Sequence, residues 1–255
     1  MDADSLQPSF AEPPGRAFEV VLAWVDEQIL SGDLAVGDQL PAERELARLL
    51  NVSRAAVREA VRTLQAQGVV RSSVGAGAAG GTTINALPSD ALTRLLRLHV
   101  ALANFPHEDV IEVRVALERL SVRLAAQNAT PEQLDVSQKA IDVMADPDIE
   151  REAFNDADTA FHVALAAAAG NRLAMDTTAA IRESMRLPIL DRFRHVHAWD
   201  DIVEDLRRDH EAIQAAVTRG DAEEAERLVE THIRSAWHAL SYDVSAGGWL
   251  GGSER

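Results

Sequence analysis

The chain of 255 residues has no cysteine. That excludes a disulfide scaffold, thiol chemistry and any cysteine-ligated zinc site. Aromatic residues make up only 4%. Trp24, Trp199, Trp237 and Trp249 are scattered, so no stacking surface for single-stranded nucleic acid is supported. Long apolar runs are missing too. The longest, Val163 to Ala169, is far short of the roughly 20 residues a membrane helix needs, so no membrane partner is expected. No basic residue precedes Arg16 and no apolar h-region is present, so no secretory signal is expected and the reading is a cytoplasmic protein. Lysine is nearly absent: Lys139 is the single one among 25 basic residues.

What is present is a 47% hydrophobic, 26% charged composition, which excludes disorder and collagen and allows one large domain or two ordinary ones. The net charge of −16 argues against a nucleic-acid partner, but it hides an asymmetry. From Val36 to Gly75 there are six arginines against four acids; from Leu87 onward, 18 basic residues against 30 acidic. A slightly basic segment joined to a strongly acidic one implies two units with different partners.

Residues 1–15 are polar, proline-bearing and aperiodic, and are read as a disordered tail. From 16 to 31, Phe18, Val21, Leu22, Val25, Ile29 and Leu30 recur at helical spacing, and Gly32-Asp33 ends the pattern. Pro41 suits the first turn of a helix over 42–50, burying Leu46, Leu49 and Leu50. After the turn Asn51-Val52-Ser53, Ser53 is a good N-cap for a helix over 54–67 with Ala56, Val57, Ala60, Val61 and Leu64 inward and Gly68 as its stop. The β-branched stretches 69–73 and 82–84 flank a glycine-rich tip, VGAGAAGG, and predict a hairpin. Residues 86–89 are read as a linker. Residues 90–242 contain no strand pattern and six or seven helical segments with short connections, an antiparallel bundle. Residues 243–255 are read as a loose tail.

Two helices joined by a three-residue turn and followed by a hairpin form a winged helix-turn-helix, so the fold class is mainly α: this N-terminal module followed by an all-helical bundle. The geometry gives the motif its chemistry. A helix fits the major groove, and residues near its N-terminus point at base edges. Arg54 and Arg58 stand one turn apart at that end, opposite Val57 and Val61, each with two parallel donors that suit a guanine. Ser53 sits beside them, Arg44 is placed for a base or phosphate, and Arg62 for the backbone. Singly, such arginines on an amphipathic helix are only a solvated face; the turn, cap and hairpin in the right order make the difference. The stretch LPAERELARLLNVSRAAVREAVRTLQAQGVV resembles the DNA-binding domain of the GntR family of bacterial transcription regulators, over about residues 16–85. The resemblance implies that Arg44, Arg54 and Arg58 read a double-stranded operator, as a homodimer on a near-palindrome. The stretched wing tip departs from the family's compact G-x-G.

In the helical half, Asp158 and His162 are separated by four and share one helix face, with Phe154, Phe161 and Leu165 turning that face inward. His210 stands ten residues before Gly220 and His232 twelve after it. In an antiparallel hairpin those positions are level within about 3 Å. Three imidazoles and a carboxylate suit Zn²⁺, Mn²⁺, Ni²⁺ or Fe²⁺, with zinc first, and would leave coordination positions for water or a small carboxylate. A helical histidine is ordinarily just a satisfied polar residue. The segments FNDADTAFHVALAAAAGNRLA and DHEAIQAAVTRGDAEEAERLVETHI resemble the all-helical FCD effector domain of the FadR branch of GntR regulators, over about 90–240. In metal-binding members these positions ligate the ion, which implies Asp158, His162, His210 and His232 as ligands here. Arg114, in VIEVRVALE, matches an arginine near the pocket of similar regulators and is a candidate for an effector carboxylate, with Glu118 one turn on as an equally good surface partner. His99, His107, His195, His197 and His238 match no ligand position.

The expectation is therefore a ligand-responsive regulator, not an enzyme, in which a small organic acid bound at a divalent metal alters operator binding. A metal-dependent helical enzyme and a pure metal sensor are the alternatives.

Overall fold

The computed structural model describes residues 14–73, 81–85, 89–102, 104–196 and 198–241. The chain divides into two units, residues 1–91 and 92–255.

In the first unit, α1 (Pro14–Ser31) starts two residues before the expected boundary, so positions 14 and 15 belong to the helix and not to a tail. Its Val21 and Val25 are fully buried. Next come α2 (Glu43–Leu49) and α3 (Arg54–Ala66). Pro41 lies ahead of α2, whose N-cap is Ala42. Leu46 is buried as its periodicity predicts, but Leu49 is 61% exposed and Ala47 takes the inward place. The turn depends on Asn51, the one non-glycine residue with positive φ among the described residues (52°), a conformation asparagine tolerates. Ser53 caps α3, its hydroxyl accepting from the Ala56 amide at 3.1 Å. Gly68, at φ 74°, turns the chain into β1 (Val70–Ser73). β1 pairs antiparallel with β2 (Gly81–Ile84), Val70 opposite Ile84. The wing tip, residues 74–80, lies outside the described residues.

One pairing had no sequence signal. The segment 37–40 lies along β2: the Leu40 amide donates to Thr82 at 2.8 Å and the Ile84 amide to Asp38 at 2.8 Å. This brings Leu40 into a core with Val25, Leu64, Val70 and Ile84. A second cluster, Val21, Leu46, Val57 and Ala60, holds the three helices together.

Among the described residues seven helices follow, the first beginning just before the boundary of the second unit: α4 (Ser89–Ala101), α5 (His107–Asn128), α6 (Pro131–Met144), α7 (Arg151–Ala168), α8 (Arg172–His195), α9 (Trp199–Thr218) and α10 (Ala222–Ser241). Ser89, expected in the linker, opens α4; residues 86–88 and the tail 243–255 lie outside the described residues. Local chemistry sets the helix ends. Thr130 and Gln133 form a capping box with Pro131 at the first helical position of α6, and Asn171 caps α8 through the Ala174 amide. Gly170 and Gly220 turn the chain at φ 72° and 74°. The helices share one core, in which Phe154, Phe161, Met185, Ile213 and Val229 are fully buried. α7 packs between α6 and α8, and α10 lies against both α5 and α9.

Candidate metal centre and nucleic-acid interface

Phe154, Phe161 and Leu165 anchor one face of α7 in the core, and the same face carries Asp158 and His162 inward. Close packing of the α9–α10 hairpin brings His210 and His232 level, ring centroids 4.5 Å apart. The four side chains meet with exposures of 6, 2, 0 and 1% in chain order, and one potential donor atom from each lies within 4.8 Å of all the others. His210 Nε2 is 3.0 Å from Asp158 Oδ1 and 3.2 Å from His162 Nε2; His162 Nε2 and His232 Nε2 lie 3.8 and 4.0 Å from the same carboxylate oxygen. Donors around a tetrahedral Zn²⁺ with bonds of about 2.0–2.1 Å stand about 3.3 Å apart. The separations bracket that value and extend beyond it, to 4.0 Å from the Asp158 oxygen, so the four donors are close enough together to share one divalent ion.

Protonation favours the same use. Burial, then the nearby Arg182, pushes His162 well below the ordinary imidazole pKa. Burial, then His210, lowers His232 to about 4. Both rings are neutral at pH 7, with lone pairs free for a cation. Burial works to raise Asp158, but Arg182 and the hydrogen bond from His210 outweigh it and hold the carboxyl well below the usual range. Two imidazoles have a carboxylate behind them: His162 Nδ1 meets Glu118 Oε2 at 2.7 Å, and His232 Nδ1 meets Asp209 Oδ2 at 3.3 Å. With Nδ1–H donating, Nε2 is left as the acceptor facing the cluster. His210 Nδ1 is buried with no hydrogen-bond partner.

Arg114 is buried (6% exposed) and lines a small cavity of about 20 Å³ together with Asp158, His232, Phe193, Ile233 and Trp237. Glu118 is not a surface partner for it. The carboxylate is 2% exposed and its Oε1 accepts from Arg114 Nε at 2.7 Å inside the protein. The centre also includes Arg182, whose Nη1 donates to Asp158 Oδ2 at 2.7 Å while Nε and Nη2 fork onto Glu118 at 2.8 and 2.6 Å.

In the first unit Arg44, Ser53, Arg54, Arg58 and Arg62 are all exposed. Arg58 Nε donates to Glu43 Oε2 at 2.9 Å, and Arg54 Nη2 lies 3.9 Å from the same oxygen, so one carboxylate at the start of α2 faces the first two of the three arginines of α3. Arg62 pairs with Glu59 on its own helix at 3.3 Å.

Residues 19–79 match the family model of bacterial regulatory proteins, gntR family, and residues 109–235 match the FCD domain. The HTH-type transcriptional repressor NanR of Klebsiella aerogenes is 31% identical over 233 residues, covering 87% of this chain and 85% of that protein. NanR of Escherichia coli K12 is likewise 31% identical, covering 84% of its length. This chain belongs to the GntR family. Its FCD domain places it with the FadR branch, whose members regulate transcription and are not enzymes. Among solved structures, Streptococcus agalactiae GntR aligns with a TM-score of 0.52 at 27% identity, covering 87% of this chain and 99% of that one.

Of the GntR-type residues singled out from sequence, the structure gathers Asp158, His162, His210 and His232 in one cluster and sets Arg114 at its edge. Glu118 as a buried partner and Arg182 were missed. Arg182 had a signal: it interrupts an inward stripe of Thr178, Ile181, Met185 and Ile189 on α8, and a charge on such a stripe demands a buried counter-charge. Neither His195 nor His238, both exposed, approaches the cluster; His197 lies outside the described residues.

Proposed function

We propose that this protein is a ligand-responsive repressor that binds a near-palindromic operator as a homodimer, with a divalent ion, zinc in the first instance, held by Asp158, His162, His210 and His232. We assign Arg44, Arg54 and Arg58 to base edges and Ser53 and Arg62 to the duplex backbone. A small organic acid is the effector, drawn to Arg114 and to the open positions of the ion. The repressor reading follows the NanR relatives.

One observation carries the effector assignment: the charge balance of the buried centre. Arg114 and Arg182 offset Glu118 and Asp158, so the set is neutral as it stands. A divalent cation among neutral imidazoles supplies a Lewis-acid anchor and two uncompensated positive charges in a low-dielectric interior. An acid's carboxylate reduces that excess, and Arg114 is the buried cation nearest the space it would enter. Effector binding changes operator affinity by a coupling of about 1–3 kcal/mol, the range typical of two linked sites.

The cavity of about 20 Å³ holds one water and not an acid, so the acid reading requires the space to widen, and it also favours a second reading, a metal sensor with no organic ligand. Elemental analysis of the purified protein, then operator titrations with metal alone and with metal plus simple carboxylic and hydroxy acids, separates them. Bound metal with release only on adding an acid is the expected result. Release tracking metal alone establishes the sensor, and no metal at all removes this account of the FCD domain.

A further inference from the structure

Glu118 and Arg182 are not among the four cluster residues, yet each touches them. Glu118 on α5 receives four contacts: His162 Nδ1 and Arg182 Nη2 at Oε2 (2.7 and 2.6 Å), and Arg114 Nε and Arg182 Nε at Oε1 (2.7 and 2.8 Å). Arg182 on α8 uses its remaining fork nitrogen, Nη1, on Asp158 Oδ2 at 2.7 Å. Glu118 and Arg182 are 2% and 1% exposed. Three helices, α5, α7 and α8, are thus joined at one carboxylate and one guanidinium, and both connections end on residues of the cluster.

We propose that Glu118 and Arg182 are positioning residues for the metal. Glu118 accepts the hydrogen bond of His162 Nδ1–H at 2.7 Å, which fixes the tautomer, turns Nε2 toward the cluster and makes that nitrogen a better donor. Arg182 hydrogen-bonds Oδ2 of Asp158 at 2.7 Å, which orients the carboxylate with Oδ1 toward the three histidines. Its bidentate grip on Glu118 sets the plane in which that carboxylate meets the imidazole. One guanidinium therefore sets two ligands at once, one directly and one through Glu118. The proposal rests on the reading that this centre takes a divalent ion.

A buried ion network that served folding alone would have the same contacts, so the test must separate ligand positioning from stability. Zinc affinity of the full chain is measured by competition with a chromophoric chelator at pH 7 for the wild type, Glu118→Gln, His162→Ala and the double variant. Losing a partner of this kind costs about 10- to 100-fold in metal affinity, and that loss is expected for Glu118→Gln. In the His162→Ala background the same change should do almost nothing, because the residue through which Glu118 acts is gone. Unchanged affinity in Glu118→Gln, or an equal loss with and without His162, overturns the proposal. Should Glu118→Gln fail to fold with one buried positive charge left uncompensated, Arg114→Gln/Glu118→Gln keeps Arg182 against Asp158 and is judged by the same two comparisons. A wild type that takes up no zinc removes the underlying metal reading as well; a wild type that binds zinc as tightly as Glu118→Gln removes only the positioning role.

Discussion

At the scale of single residues, the buried centre makes sharp demands. On the proposed reading His210→Ala removes a donor with 0% exposure, and elemental analysis should find the ion lost and the metal-dependent gain in melting temperature gone. Full occupancy would strike His210 from the ligand set. The pH response has a definite sign. His162 and His232 have folded pKa values below those of the unfolded chain, His232 at about 4. Between about pH 6.5 and 4 the unfolded chain binds more protons, so stability of the metal-free protein falls as pH falls through that window. Asp158 and Glu118, both held low in the folded state, add to the loss as the pH drops further. Thermal unfolding in chelator across pH 4–8 checks this; a flat profile contradicts it. In the first unit, Arg58→Ala should weaken operator binding by about 1–3 kcal/mol while leaving the melting temperature unchanged, since the side chain is exposed and its one ion partner, Glu43, is itself 40% exposed.

At the scale of elements, helices were legible wherever a local device sets their ends: Ser53 before α3, Thr130-Pro131 before α6, Gly170-Asn171 before α8, Gly220 between α9 and α10. The i,i+4 pair on α7 and the level pair on the α9–α10 hairpin were readable because helix geometry is fixed by spacing alone. What stayed hidden depends on partners distant in sequence. The lie of 37–40 along β2 is set by residues more than forty positions away, and no local period marks it. Leu49 faces solvent because α2 is only seven residues long and its inward stripe is filled by Leu46 and Ala47. Arg182 meets Glu118 across 64 positions, and Glu118 read as a surface partner because i,i+4 Arg–Glu pairs ordinarily are. Capping is testable on its own: Thr130→Ala removes the hydroxyl that accepts from the Gln133 amide at the start of α6, leaves the backbone amide of residue 130 bonded to the Gln133 side chain, and should cost about 1 kcal/mol, measured by denaturant titration with an unchanged slope.

For the molecule as a whole, each unit has its own hydrophobic packing and the Asp158–His162–His210–His232 cluster lies in the second, so on the proposed reading the two units should respond to metal separately. Calorimetry should resolve the second unit's unfolding by its dependence on metal. At zinc a hundredfold above its dissociation constant, that unit gains about 2.7 kcal/mol, while the first unit, which lacks the cluster, should not shift with metal. A common shift of both would show that they unfold together.

The carboxylate of Glu43 has a consequence for selectivity. If Arg54 and Arg58 read bases as proposed, Glu43, which pairs with Arg58 and lies near Arg54, competes weakly with any duplex for these guanidiniums. A correctly spaced guanine displaces it; a random stretch, with only hydrated phosphates in reach, does so poorly. The internal anion therefore acts as a toll on indiscriminate adhesion, and neutralising it as Glu43→Gln should tighten the hold on arbitrary DNA more than on the true target, narrowing the ratio between the two.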